Sequence, residues 1–245
     1  IEHFPENRLA RVKQESLLFN NQSLFRYQIE EAETGKTPIG IAYLYNDDPN
    51  HPGISYPWDG SRSGLGGVQE RYDNKKLSWF KKRLAQFFIV QVNPSVMGTE
   101  SRQEETHPTW NLSNYVAWFD SLNQHQRRGV SKLEQALRGI LRGFDFFNFA
   151  LAGEAKILKI DFLKESLSKL PLTYRFDELS DGQRTLIALY TLLYCIPVED
   201  CTVAIDEPEN FLALPEIQPW LDKLMDQCEE SHFNALLISH QPNLI

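Results

Sequence analysis

The sequence predicts an α/β fold, and three observations carry that expectation. Near the C-terminus, Leu186 to Leu193 is apolar nearly all round, Cys201 to Ile205 is a short β-branched run, Pro215 to Cys228 is amphipathic, and Ala235-Leu236-Leu237-Ile238 is a second buried run. That succession reads helix, strand, helix, strand, a parallel α/β unit with a right-handed crossover. Upstream, Ile39, Ile41, Tyr43 and Tyr45 alternate with period two, which predicts an antiparallel β portion. Between them, Leu112, Tyr115, Val116 and Phe119, and then Leu133, Leu137, Ile140 and Leu141, repeat at helical spacing. With 245 residues, 42% of them hydrophobic, the chain is long enough for one large or two small domains. A net charge of -8 argues against general coating of nucleic acid, though a local basic patch remains compatible with it.

Taken in order, residues 1–20 show no clear period. Leu24, Tyr27 and Ile29, followed by the alternating run, predict a hairpin of 23–33 with 38–46 across a turn at Glu33-Thr34-Gly35-Lys36. Residues 46–72 are rich in Pro, Gly, Asn, Asp and Ser and read as loop. Within them, Ser61-Arg62-Ser63-Gly64-Leu65-Gly66-Gly67 invites a phosphate-loop reading. Such a loop needs GxxxxGK[ST], whose lysine reaches the β- and γ-phosphates and whose hydroxyl holds magnesium. No lysine follows these glycines, so the segment reads as surface loop. Residues 73–86 form a basic amphipathic helix on Leu77, Phe80 and Leu84, and Lys81-Lys82-Arg83 is either a solvated face or a phosphate-contacting patch. Phe87 to Val92 is a strand closed by Asn93-Pro94. Residues 99–109 are polar loop, and the helix at 111–120 and the one ending near Gly143 follow. Phe144, Phe146, Phe147 and Phe149 read as core rather than a base-stacking platform. Ile157, Ile160 and Phe162 suggest a strand, and Tyr174-Arg175-Phe176 an extended segment.

Three short stretches then carry chemistry: Leu179-Ser180-Asp181-Gly182-Gln183-Arg184, Val203-Ala204-Ile205-Asp206-Glu207-Pro208, and Ile238-Ser239-His240. Ser180 and Gly182 stand just before a buried helix. Its N-terminus offers unpaired N–H groups and about half a positive charge, an anion site. Ser180 can cap the helix or donate to a phosphate oxygen, and Gly182 lets backbone approach closely. A buried parallel strand ending in Asp206 and Glu207 puts carboxylates in the crevice where α/β sheets bind ligands.

In this order the stretches resemble the signature loop, the Walker B strand with its glutamate, and the switch histidine of ABC-type ATPases. The resemblance is closest to the predicted AAA-family ATPases grouped with SMC, RecF and OLD-type proteins, and it is specific from about Phe176 onward. It implies a P-loop NTPase core with an antiparallel β portion and a helical signature subdomain. It further implies ATP and Mg2+ as ligands. Asp206 would hold the metal, Glu207 would orient or deprotonate the attacking water, and His240 would sense the γ-phosphate. Ser180, Asp181, Gly182 and Gln183 would contact nucleotide, and Gln91 stands where the Q-loop glutamine does. Asp181 departs from the glycine pair usual in the signature. A larger departure is the missing GxxxxGK[ST], which the resemblance puts upstream of Ile1. The implied division is 1–98 as antiparallel β portion with loop insertion and Q-loop strand, 99–175 as helical subdomain, and 176–245 as the signature, Walker B and histidine portion.

The resemblance also implies a head-to-tail homodimer or higher oligomer that sandwiches nucleotide, with DNA or an effector nuclease as further partner. Glu209 and Asn210 would face the partner subunit. The processes it suggests are DNA repair, chromosome maintenance or anti-phage defence. Two alternatives remain: a non-hydrolysing or degenerate ATP-gated module that regulates an effector, and a metal-dependent nuclease built on Asp206, Glu207 and Glu209. Cys195, Cys201 and Cys228 show neither paired number nor CxxC spacing, which suits buried or idle thiols in a reducing compartment. No stretch of about 18 apolar residues spans a membrane and no signal pattern opens the chain, so the expected location is cytoplasmic.

Overall fold

The computed structural model describes residues 2–3, 10–30, 39–163, 171–196, 201–231 and 233–242. They form two compact units, Ile1–Ala85 and Gln86–Ile245.

In the first unit β1 (Glu2–His3) pairs with β2 (Ala10–Arg11). A four-stranded antiparallel sheet follows, in the order β3 (Gln14–Phe19), β4 (Gln22–Glu30), β5 (Ile39–Leu44) and β6 (Ile54–Pro57). The expected hairpin is β4 with β5, in the register Phe25 to Leu44 and Tyr27 to Ala42. Its turn at Glu33-Thr34-Gly35-Lys36 lies outside the described residues.

The sheet is larger than the hydrophobic pattern predicts. In β3 the half-buried positions are Glu15 and Leu17, so a carboxylate interrupts the apolar alternation. The strand is fixed instead by its turn: Asn20 and Asn21 have φ of 48° and 63°, the left-handed pair that a two-residue type I′ hairpin requires. β6 interrupts the segment read as loop, and only its Tyr56 turns inward, which leaves no period to detect.

The glycine-rich stretch ends in a single helical turn, α1 (Gly64–Gly67). There Glu15 accepts hydrogen bonds from the Ser63 hydroxyl and, at 2.8 Å, from the Gly64 N–H, so a carboxylate already occupies these donors. α2 (Lys75–Ala85) starts where Asp47 accepts from the N–H groups of Lys75 (2.6 Å) and Lys76 (3.3 Å). Lys81 donates to the carbonyls of Gly66 and Val68, and Lys82 pairs with Glu70 at 3.0 Å. Two cations of the basic cluster thus tie down the preceding loop. Phe25, Tyr27, Ala42, Leu44, Val68 and Leu77 make this unit's core.

The second unit begins with β7 (Phe87–Gln91) and β8 (Glu100–Ser101). Helices α3 (Tyr115–His125) and α4 (Arg127–Ile140) come next, then β9 (Phe144–Ala152), β10 (Ala155–Phe162) and β11 (Leu172–Arg175). The order closes with α5 (Asp181–Cys195), β12 (Thr202–Asp206), α6 (Leu214–Glu230) and β13 (Asn234–Ile238). β10 pairs antiparallel with β9 on one side and with β11 and β8 on the other. β12 is the middle of a three-stranded parallel sheet, with β13 and β7 as its neighbours. The chain is therefore mixed α/β, with separate antiparallel and parallel sheets. Within 99–175, two helices are followed by three antiparallel strands.

α3 starts four residues later than its apolar spacing suggests. Asn111 and Asn114 accept from the backbone N–H groups of Ser113 (3.1 Å) and Thr109 (2.8 Å), and Leu112 has φ of 58°. Side chains that satisfy nearby N–H groups this way compete with helix. Phe144 is buried and Phe147 and Phe149 pack against the core, while Phe146 faces outward. Cys195 and Cys201 are buried, and burial pushes the Cys195 thiol up to about 12. Among the described residues no helix is long and apolar enough to cross a membrane.

α5 is the centre of this core, with every residue from Thr185 to Leu193 buried. Each such leucine contributes about 1.5–3 kcal/mol by leaving water. The Trp220 Nε1–H donates to the Leu189 carbonyl at 3.0 Å, and the Tyr115 hydroxyl meets Thr191 Oγ1 at 2.8 Å. Burial, partly offset by that Thr191 bond, raises the Tyr115 phenol far above its usual 10.0. The folded state therefore keeps Tyr115 neutral while the unfolded chain ionises above pH 10, so its contribution is complete below that pH and falls as pH rises. We expect Tyr115→Phe to cost about 1 kcal/mol at pH 7 through the lost hydrogen bond. The gap to wild type should narrow at pH 10.5, because only wild type carries the ionisation penalty. Urea denaturation at both pH values measures this, and an equal gap at the two would contradict it.

Candidate functional site

β12 carries the site because of what flanks its last residue. Val203, Ala204 and Ile205 are buried, and ladders on both sides fix the strand's register. That register sets Asp206 opposite Gln91 of β7 and Ile238 of β13, at the carboxyl edge of the parallel sheet. Gln91 Nε2 donates to Asp206 Oδ2 at 3.0 Å, and the Gln91 backbone N–H is held by the Trp110 carbonyl at 2.6 Å.

Glu207 continues the parallel ladder by one step, its N–H donating to the Ile238 carbonyl at 2.7 Å. Its φ of 49° is left-handed, a conformation that costs a non-glycine residue about 1–3 kcal/mol and clusters at functional sites. Asn210 Nδ2 donates to Glu207 Oε2 at 2.7 Å. His240 Nε2 stands 3.5 Å from Glu207 Oε1, on a side chain that is 84% exposed. Ser239 donates to Glu209 Oε1 at 2.5 Å and accepts from the Gln241 N–H at 2.9 Å.

The start of α5 is built separately. Ser180 accepts from the Gln183 N–H at 3.3 Å, and Gln183 Oε1 accepts from the Ser180 N–H at 3.0 Å, a reciprocal capping box. Arg184 donates to Asp181 Oδ1 at 2.6 Å and to the Pro94 carbonyl at 2.7 Å. That second bond ties the helix start to the turn that follows β7. A Cβ on Gly182 would lie 3.0 Å from the Phe211 carbonyl oxygen, so glycine permits the loop after β12 to pass against this helix. Phe211 itself has φ of 70°.

Gln91, Asp206, Glu207 and His240 are thus joined by direct contacts in one cluster. Ser180, Asp181, Gly182 and Gln183 form a second group, whose hydrogen bonds stay within the first helical turn. The two communicate through the 207–212 loop and through Arg184. The sequence motifs contain Arg184, Ser239 and Glu209, but they give Arg184 no role and do not pair Ser239 with Glu209. Arg184 carried a local signal, a cation three residues after Asp181 on a helix, whereas a pair thirty residues apart carries none.

The donor set at Asp206 is one carboxylate beside one side-chain amide. Glu207 is engaged by Asn210, and Glu209 by Ser239. Magnesium is commonly held by one or two carboxylates plus substrate phosphates and water, rather than by an all-protein cage, and these residues fit that pattern. Among the described residues no group of three or more His, Cys, Asp or Glu could hold a metal ion by itself.

Ser180 caps the N-terminus of a buried helix, so its cap should be measurable. We expect Ser180→Ala to cost about 1 kcal/mol. Denaturant titration should show a lower midpoint with the same slope. An unchanged midpoint would mean that the cap adds nothing to stability.

No protein-family model matches the chain, and no curated protein matches it in sequence. Among solved structures it is similar to SMC heads. One is described as SmcHead bound to the C-winged helix domain of ScpA, at 10% identity and a TM-score of 0.40, covering 92% of this chain and 69% of that one. Another is the SMC head domain from Thermotoga maritima, at 15% identity and a TM-score of 0.35, covering 90% of this chain and 65% of that one. Likeness this loose carries no argument about fold or function.

Proposed function

We propose that this chain carries part of an ATP-hydrolysing site of the ABC type, in the SMC, RecF and OLD-like group. One observation carries the reading: Gln91, Asp206, Glu207 and His240 converge at the carboxyl edge of a parallel sheet. Asp206 and the Gln91 amide are the groups that would hold Mg2+, which when bound neutralises charge on the nucleotide's phosphates. Glu207, oriented by Asn210, accepts the proton of the attacking water. His240 donates to the γ-phosphate, and its contact with Glu207 sets the ring's direction. Ser180 and the α5 N-terminus offer hydrogen-bond donors to phosphate oxygens.

The reading requires a phosphate cradle that these residues do not supply. Gly35-Lys36-Thr37 matches the end of GxxxxGK[ST], but Glu30 stands where its first glycine belongs. The parallel sheet has a surface suited to the missing element. α5 and α6 share a core with Val90, Val203 and Ile205, while Phe87, Ile89, Leu236 and Ile238 are exposed on alternate positions. Parallel sheets are normally covered on both faces. A segment bearing the phosphate loop, from this polypeptide or another, would cover that apolar face and bring the lysine to Asp206. Ser180 and Gly182 then act on nucleotide held by a second subunit, in a head-to-tail dimer. DNA or an effector nuclease is the natural recipient of the resulting motion.

Two outcomes test this. In protein that holds the complete site, Glu207→Gln should retain ATP and lose about 10²–10⁴ in turnover. Phosphate release at the wild-type rate would refute the assignment. The 245 residues alone should bind Mg-ATP poorly by calorimetry. Tight binding would mean that a different cradle lies within them.

A further inference from the structure

We propose that Glu209 and Ser239 form a strap that holds His240 against Glu207, which makes both of them positioning residues of the site. The strap itself rests on geometry; its consequence for turnover rests on the ATPase reading above.

Glu207 and Glu209 lie in the loop after β12, and His240 lies in the turn after β13. The main chain joins these segments through the Glu207 N–H and the Ile238 carbonyl, 2.7 Å apart. That bond precedes the histidine by two residues and leaves its turn free to swing. Ser239 removes the freedom. Its single hydroxyl proton goes to Glu209 Oε1 at 2.5 Å, and its oxygen accepts the Gln241 N–H at 2.9 Å. The residues on both sides of His240 are therefore anchored to one buried carboxylate.

The other end of the strap is equally constrained. Leu212 N–H donates to the Glu209 carbonyl at 3.0 Å and Asn210 N–H to the Glu207 carbonyl at 3.1 Å, so the loop closes on itself around the two glutamates. Glu209 is only 9% exposed, against 84% for the His240 side chain. A rigid buried group thus positions an exposed ring, for which Glu207, 3.5 Å away, is the polar neighbour.

Stability alone does not account for Glu209. Its second carboxylate oxygen is buried with no hydrogen-bond partner among the described residues. Burying a charged oxygen without a partner costs free energy that an apolar side chain would not incur. One charge-assisted bond from a hydroxyl is a small return for folding, but it gives a well-defined direction. Sites that move protons need such fixed geometry, because misplacement by about 1 Å can cost ~10²-fold in rate.

The test uses Glu209→Ala, Ser239→Ala and the conservative Glu209→Gln, whose side-chain oxygen still accepts from Ser239. Circular dichroism verifies folding, and Ser239→Ala, which removes one oxygen atom, serves if Glu209→Ala fails to fold. Carbon–proton correlation spectra of the histidine rings are recorded without nucleotide. The His240 ring signal should move in both alanine variants and stay in place in Glu209→Gln, with His51, His107 and His125 unmoved. A stationary His240 signal in Ser239→Ala overturns the strap. In protein that hydrolyses ATP, both alanine variants should lose on the order of tenfold in kcat with KM within about twofold, and the double variant should be no worse than either. A displaced ring signal with unchanged kcat overturns the positioning role. If Glu207→Gln leaves turnover intact, the ATPase assignment fails while the ring spectra still decide the strap.

Discussion

The site depends on β12 being paired on both sides. A lone strand ending in two acids would splay, because adjacent carboxylates repel and nothing fixes their direction. Between β7 and β13 the strand cannot slip, since a shift of one residue would turn Val203 and Ile205 out of the core. That register leaves Asp206 and Gln91 opposite one another at hydrogen-bonding distance, with Ile238 on the other side. Apolar burial below the site therefore sets polar geometry at its edge. The left-handed Glu207 is the cost of turning the chain immediately after the strand, and the ladder bond to Ile238 and the Asn210 contact hold it there.

The second constraint is the burial of α5. A helix apolar on every side can be covered only by other elements, and it is enclosed by α3, α4, α6 and the strands. Once fixed, its first turn is fixed as well, and the Ser180–Gln183 box and Arg184 secure the end. Gly182 matters for room rather than for φ, since it admits the Phe211 carbonyl. One rigid helix end and one rigid strand end are thus joined by a loop with positive φ at Glu207 and Phe211.

Legibility of the sequence follows from the range of each interaction. The helices α2, α4, α5 and α6 are visible because their apolar spacing is local, and β12 and β13 because each is a continuous apolar run, although β13, expected to be buried, leaves Leu236 and Ile238 exposed. β3 and β6 are not: an inward Glu15 breaks one pattern, and a single inward Tyr56 leaves no pattern in the other. α3 starts later than its apolar spacing implies because side-chain hydrogen bonds at Thr109–Asn114 override that spacing. In the candidate site, Asp206 and Glu207 stood out as acids at a strand end. Gln91 lies 115 residues away from Asp206, and only the sheet register brings them together. The Glu209–Ser239 contact, with no spacing rule to mark it, could not be read from sequence at all.

The two open features of the second unit are complementary. The parallel sheet presents Phe87, Ile89, Leu236 and Ile238 on one face, and its carboxyl edge presents Asp206 and Glu207. An element packed on that face must run along the strands to cover them, and its end then arrives at the acids. If the element is a strand followed by a loop and helix, the loop's N–H groups and the helix dipole bring positive potential to a negative edge. The same geometry disfavours a helix laid parallel to the strands, because its negative C-terminal end would meet Asp206 and Glu207. Apolar coverage and electrostatics thus select one direction for whatever covers the sheet, and that direction is the one a phosphate-binding loop requires.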